Sequence, residues 1–183
     1  MSRKIIKLSS QEDLKIFMSP QRQKIIRNMQ ISGSPVTPKA VADMLEISAS
    51  SAQFHIKKLE ALGIVELDHT ESINGITAKF YGLVDADIRI GSDTEDGMAG
   101  ERTAIMQNLM NNTFDGLIKL GKKNLPVDIA AQNGDFLNGI LHLSEKDSQH
   151  LLKMIREFVS THEKKAENTN PWDYTFIMYN TEV

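Results

Sequence analysis

The chain has 183 residues, is 40% apolar and 25% charged, contains no Cys, and carries a formal net charge of −3. That length allows one domain or two small ones, and the composition is that of a globular protein with a real core. Zero Cys excludes disulfides and thiolate metal sites, no apolar run approaches membrane-spanning length, and the basic start MSRKIIKLSS lacks the apolar stretch of a secretory signal, so a cytoplasmic protein is expected. Charge is uneven along the chain. Residues 1–90 hold 12 Lys/Arg and 10 Asp/Glu, a net of +2, whereas residues 91–183 hold 9 and 14, a net of −5.

In chain order, Leu14, Phe17, Ile25, Ile26 and Met29 predict an opening pair of helices, with Pro20 at a helix start, where its missing N–H is not needed. Gly33–Pro35 breaks the pattern. Residues 37–82 then read as two short helices, a third helix that is the second of a helix-turn-helix, and a strand–turn–strand. Thr37 is a cap with Pro38 as the first helical residue, and Val41, Ala42, Leu45 and Ile47 are the apolar positions. Ser48 caps the next helix, expected to run from about Ser48 to Leu62. Ala52, Ile56, Leu59 and Leu62 recur at helical spacing on its buried face, and Gly63 suits a left-handed terminator. Ile64, Val65 and Leu67 open a strand. Asn74-Gly75 signals a turn within a tip spanning His69 to Ile76, and Ala78, Phe80, Tyr81 and Leu83 form the return strand.

The opposite face of the second helix shows Ser50, Ser51, Gln53, Phe54, Lys57 and Lys58. These are hydrogen-bonding, stacking and phosphate-binding groups, and a helix-turn-helix places such a face in the DNA major groove. Gln53 can pair bidentately with adenine, Phe54 can meet a thymine methyl or pack inward, and the lysines can meet phosphates. Thr37, Lys39 and Ser48, with Asn74, Thr77 and Lys79 on the wing, complete the expected DNA-binding set. His55 reads as a core or hinge residue. His150 and His162, 12 residues apart, are about 18 Å apart along a helix, too far to share one ion. No Gly-rich phosphate loop, paired-His motif or nucleophile with its base marks an enzyme, and no cofactor is expected.

The run HIKKLEALGIVEL resembles the recognition-helix-to-wing junction of ArsR-type winged helix-turn-helix repressors, and SPQRQKIIRNMQ resembles that family's first helix. The resemblance covers roughly residues 10–90. It departs from the family's metal-responsive members in lacking Cys, and at Glu46, where many helix-turn-helix proteins carry Gly. It implies a winged-helix reader over residues 1–90 that acts on double-stranded DNA as a homodimer, with repression the default. A winged-helix module that binds protein without reading an operator is the alternative.

GSDTEDGMAG, residues 91–100, reads as a linker. Residues 101–183 are then expected to supply dimerisation and an effector pocket. A helix over about 99–123 carries Ile105, Leu109, Phe114, Leu117 and Ile118 on an apolar stripe proposed for dimerisation. FLNGILHL reads as a strand, Ser144 with Asp147 as a capping box opening another amphipathic helix, and DYTFIMYN as a closing strand. The expected class is α+β: a winged helix-turn-helix followed by helix, strand, helix, strand.

Overall fold

The computed structural model describes residues 4–90, 97–123, 125, 126, 129 and 132–182. The chain divides into two compact units, Met1–Gln107 and Asn108–Val183.

The first unit opens with strand β1 (Lys4–Lys7), then helices α1 (Gln11–Met18), α2 (Pro20–Ser32), α3 (Pro38–Leu45) and α4 (Ala49–Ala61). Strands β2 (Val65–Ile73), β3 (Ile76–Leu83) and β4 (Ala86–Arg89) follow, and α5 (Ala99–Gly121) runs from this unit into the next. Each helix starts where side-chain chemistry demands it. Ser10 and Asp13 form a capping box at α1, Thr37 Oγ1 accepts from the Ala40 N–H at 3.1 Å, and Ser48 Oγ accepts from the Ser51 N–H at 3.1 Å. The last carbonyls of α1 find donors on α2: Gln23 Nε2 donates to Phe17 O at 2.6 Å, and Arg22 donates to Ile16 O and Lys15 O.

The α3–α4 turn needs a left-handed residue, and Glu46 supplies it with φ 54° and ψ 43°. A side chain there costs about 1–2 kcal/mol relative to a right-handed conformation, partly offset by the entropy a Gly would lose. Glu46→Gly should therefore raise the unfolding free energy by roughly 0.5–1 kcal/mol. Urea denaturation of the two proteins checks this.

Leu14, Ile25, Val41, Ala52, Ile56, Leu59, Val65 and Tyr81 are the centre of the core. β2 and β3 pair antiparallel with Ile73 opposite Ile76, so the wing closes on the two-residue loop Asn74-Gly75, not on the longer tip expected. Both loop residues have positive φ, 52° and 79°, the geometry that matches strand twist. Val36 bridges to Tyr81 on the other edge of β3.

Two features were not expected. β1 pairs in parallel with β4, burying Ile6 and Leu8. The expected linker of residues 91–100 falls for residues 91–96 outside the described residues, but Met98 is buried and Ala99 already begins α5. Ile105, expected on the dimer stripe, is 2% exposed within the core of the first unit, and Arg102 beside it donates from Nε to Ile90 O at 2.7 Å. An apolar stripe along one helix does not reveal which turn meets its own domain.

In the second unit, α5 continues to Gly121 and α6 spans Glu145–His162, capped by Ser144 Oγ accepting from the Asp147 N–H at 3.1 Å. The strands expected at 136–143 and 173–180 are absent: these residues join no ladder. Apolar alternation alone does not make a strand, which exists only where a partner pairs with its backbone. None of the described residues of this unit is buried, and Leu137, Ile140, Phe158 and Tyr179 are among its exposed apolar side chains. No helix among the described residues is long and apolar enough to cross a membrane.

Candidate nucleic-acid interface

The amphipathic spacing of α4 decides which side chains face outward. Ala52, Ile56 and Leu59 are fully buried, so the residues between them project from the unit. Ser50 is exposed, Gln53 is half-buried, and Phe54 is 55% exposed, which settles its direction as outward. Ser48 Oγ and Ser50 Oγ lie 3.0 Å apart at the helix start. The Lys58 ammonium sits 5.9 Å from the centre of the Phe54 ring, close enough for a cation–π contact that holds cation and ring side by side.

Two of the other lysines of this region have acidic partners. Lys39 pairs with Asp43 one turn along α3, and Lys57 Nζ lies 2.5 Å from Glu60 Oε2. Glu60 holds the Lys57 ammonium above its ordinary range. Residues 37–83 carry four lysines against six carboxylates, so the reader proper is mildly acidic, and the positive excess of the first half lies upstream of it.

His55 lies between the outward and inward faces. Its Nδ1 is 3.4 Å from Arg22 Nη1, and its ring meets Phe54 edge-on with centres 5.4 Å apart. Burial first, and the Arg22 charge second, lower its pKa below the ordinary histidine value. The neutral ring is therefore favoured on folding. Stability from this contact is fully present above the unfolded pKa of about 6.5 and is lost as pH falls through the depressed folded value. Chemical denaturation at pH 7.5 and 5.5 should show a larger loss for the wild type than for His55→Gln.

A cleft of about 650 Å³ runs between the wing and the helices, lined by Thr37, Lys39 and Gln53 on one side and by Asn74, Thr77 and Lys79 on the other. It brings six of the sequence-predicted residues together. Ser48, Ser50, Ser51, Phe54, Lys57 and Lys58 lie outside its lining. Pro38, Ile73, Ile76 and Ala78 also line it and were missed, because none carries a polar or charged side chain that marks a binding residue in sequence. Among the described residues no group of three His, Asp or Glu is placed to hold a metal ion.

Three comparisons bear on this arrangement. A family model described as a helix-turn-helix domain matches residues 17–68, which span α2, α3, α4 and the start of the wing. A solved structure described as a possible transcriptional regulator from Methanosarcina mazei Go1 aligns over 59% of this chain and 86% of its own, at 13% identity and a TM-score of 0.34, a likeness too low to carry an argument. No curated protein matches the chain. The capped helices, the left-handed turn at Glu46 and the outward polar face of α4 agree with that match, and residues 17–68 form a helix-turn-helix domain.

Proposed function

We propose that the chain is a cytoplasmic, sequence-specific transcriptional regulator, by default a repressor, that acts as a homodimer on a pseudo-palindromic operator. The observation that carries this reading is α4, whose buried face is wholly apolar and whose outward face is a set of neutral hydrogen-bonding groups, an aromatic ring and two lysines. Ser50, Ser51 and Gln53 then meet base edges or phosphates, Phe54 a thymine methyl, and Lys58 a phosphate. Thr37, Lys39, Ser48, Asn74, Thr77 and Lys79 flank them, and Lys57 reaches DNA after exchanging Glu60 for a phosphate. Two such helices about 34 Å apart read the half-sites. Residues 108–183 supply the dimer contacts and the place for an effector, which acts by favouring one dimer geometry.

Gln53→Ala should weaken operator binding by about 1–3 kcal/mol and relax preference at one base pair per half-site. Lys58→Ala should instead weaken all duplexes alike and reduce the salt slope by about one unit. Gel shifts at two salt concentrations separate the two effects. If neither substitution changes affinity, α4 does not read DNA.

The acidic balance of residues 37–83 favours one second reading, a winged helix that docks on a basic protein surface. It predicts that the chain selects no duplex from a random-sequence pool.

A further inference from the structure

The wing sorts its side chains by face. Residues directly opposite in the ladder share a face, so Thr70 with Lys79 and Ser72 with Thr77 lie on the face that continues into buried Tyr81. Ile73 with Ile76, Glu71 with Ala78 and His69 with Phe80 lie on the other. At the tip, Ile76 is 73% exposed and Ile73 is 44% exposed, the only pair of large aliphatic side chains flanking the loop. The tip turns on Asn74 and Gly75, both left-handed. From Leu67 to Ile73 the hairpin projects about 20 Å. Both isoleucines also line the cleft that holds Gln53, Thr37 and Lys39, so the tip is continuous with the surface that α4 presents.

Two isoleucines cannot bind phosphates, and Glu71, one ladder pair behind them, keeps that face away from the backbone. What remains for the tip is the uncharged part of the duplex, the sugars and base edges of the groove beside the one α4 occupies. Apolar side chains that reach a minor groove wedge between base steps and bend the DNA.

Resting on the DNA-reading proposal, we propose that Ile73 and Ile76 form an apolar wedge that inserts into the minor groove next to the α4 site, unstacks a base step and bends the duplex. Lys79 and Thr77, on the opposite face, hold the flanking backbone, and Asn74 at the loop meets the groove floor. Flexible pyrimidine–purine steps are the preferred target, because they cost least to unstack. The wedge thereby adds specificity at base pairs that α4 never touches.

The test uses the full chain and duplexes that it selects from a random-sequence pool. End-to-end energy transfer reports the bend, and 2-aminopurine placed at the flanking steps reports unstacking. The wild type should bend the duplex by roughly 20–90° and brighten the probe at one step per half-site. The doubly substituted Ile73→Ser, Ile76→Ser protein should bind about tenfold more weakly and leave the duplex straight, whereas Ile73→Val, Ile76→Val should retain most of the bend. Gln53→Ala should lose affinity while the bound duplex stays bent. The wedge is overturned if the wild type binds tightly to straight DNA, or if the serine variant, folded by circular dichroism, bends DNA as the wild type does. If the wild type selects no duplex at all, the DNA-reading proposal falls together with it.

Discussion

Leu59→Ala should lower the unfolding free energy by about 2–5 kcal/mol, the largest effect expected of any single substitution in α4. Leu59 is fully buried on the inner face with Ala52 and Ile56, and its carbonyl accepts from the Ile64 N–H at 3.1 Å where the helix passes into the wing. The alanine leaves a cavity at the joint that sets the angle between α4 and β2. A domain with a total stability of about 5–15 kcal/mol gives up a large share of it. Phe54→Ala on the opposite face should change stability by no more than about 0.5 kcal/mol, because its ring is more than half exposed. The pair separates two meanings of lost DNA binding. Binding lost through Leu59 should recover as DNA concentration rises, since ligand pulls the folded state forward by mass action. Binding lost through Phe54 should persist in a protein that melts normally. Melting curves with and without a selected duplex read both effects, and equal melting points for the two variants would mean that α4 is not oriented as described.

The helix-turn-helix and wing of the first unit were legible because each of those elements is locally determined. Ala52, Ile56 and Leu59 sit at helical spacing, Ser48 and Thr37 are helix caps, and Asn74-Gly75 is a turn that few sequences form otherwise. β1 and β4 escaped notice because four-residue strands carry little periodicity, and their parallel pairing joins residues about 80 positions apart. The signal was there in Ile6 with Leu8 and Ile88 with Ile90, alternating as strand residues do. Within the site, the outward face of α4 follows from spacing alone. Its charge balance does not, since Lys39–Asp43 and Lys57–Glu60 use the i,i+4 and i,i+3 neighbourhood that helices share whatever they bind. Counting cations along the chain overstated the positive field available to DNA. The second unit was read least well, for a physical reason. Strand pairing is decided by what lies alongside, and the residues that read as strands have no neighbour in the ladder here.

Removal of residues 108–183 should abolish dimerisation and weaken operator binding by about a hundred- to ten-thousandfold. The cut belongs after Gln107 and not near Ile90, because Met98 and Ile105 belong to the core of the first unit and Arg102 binds the Ile90 carbonyl. A fragment of residues 1–107 keeps that core whole and should fold. What it loses is a segment that leaves its own apolar surface uncovered. The described part of α5 beyond Gln107 exposes Leu109, Met110, Phe114 and Ile118, with Leu117 half-buried, and α6 has no buried residue. Exposed apolar surface on that scale marks an association site. Residues 137–143 and 175–179 alternate as strands do and join no β-ladder, and such stretches invite pairing with a second copy. Joining two readers makes the second binding event intramolecular, which is where the lost affinity comes from. Phe114→Glu in the full chain is the conservative counterpart: it should shift sedimentation toward monomer while leaving the first unit folded. A 1–107 fragment that sediments as a dimer and keeps full operator affinity would place the dimer contacts in the winged unit and leave residues 108–183 to another role.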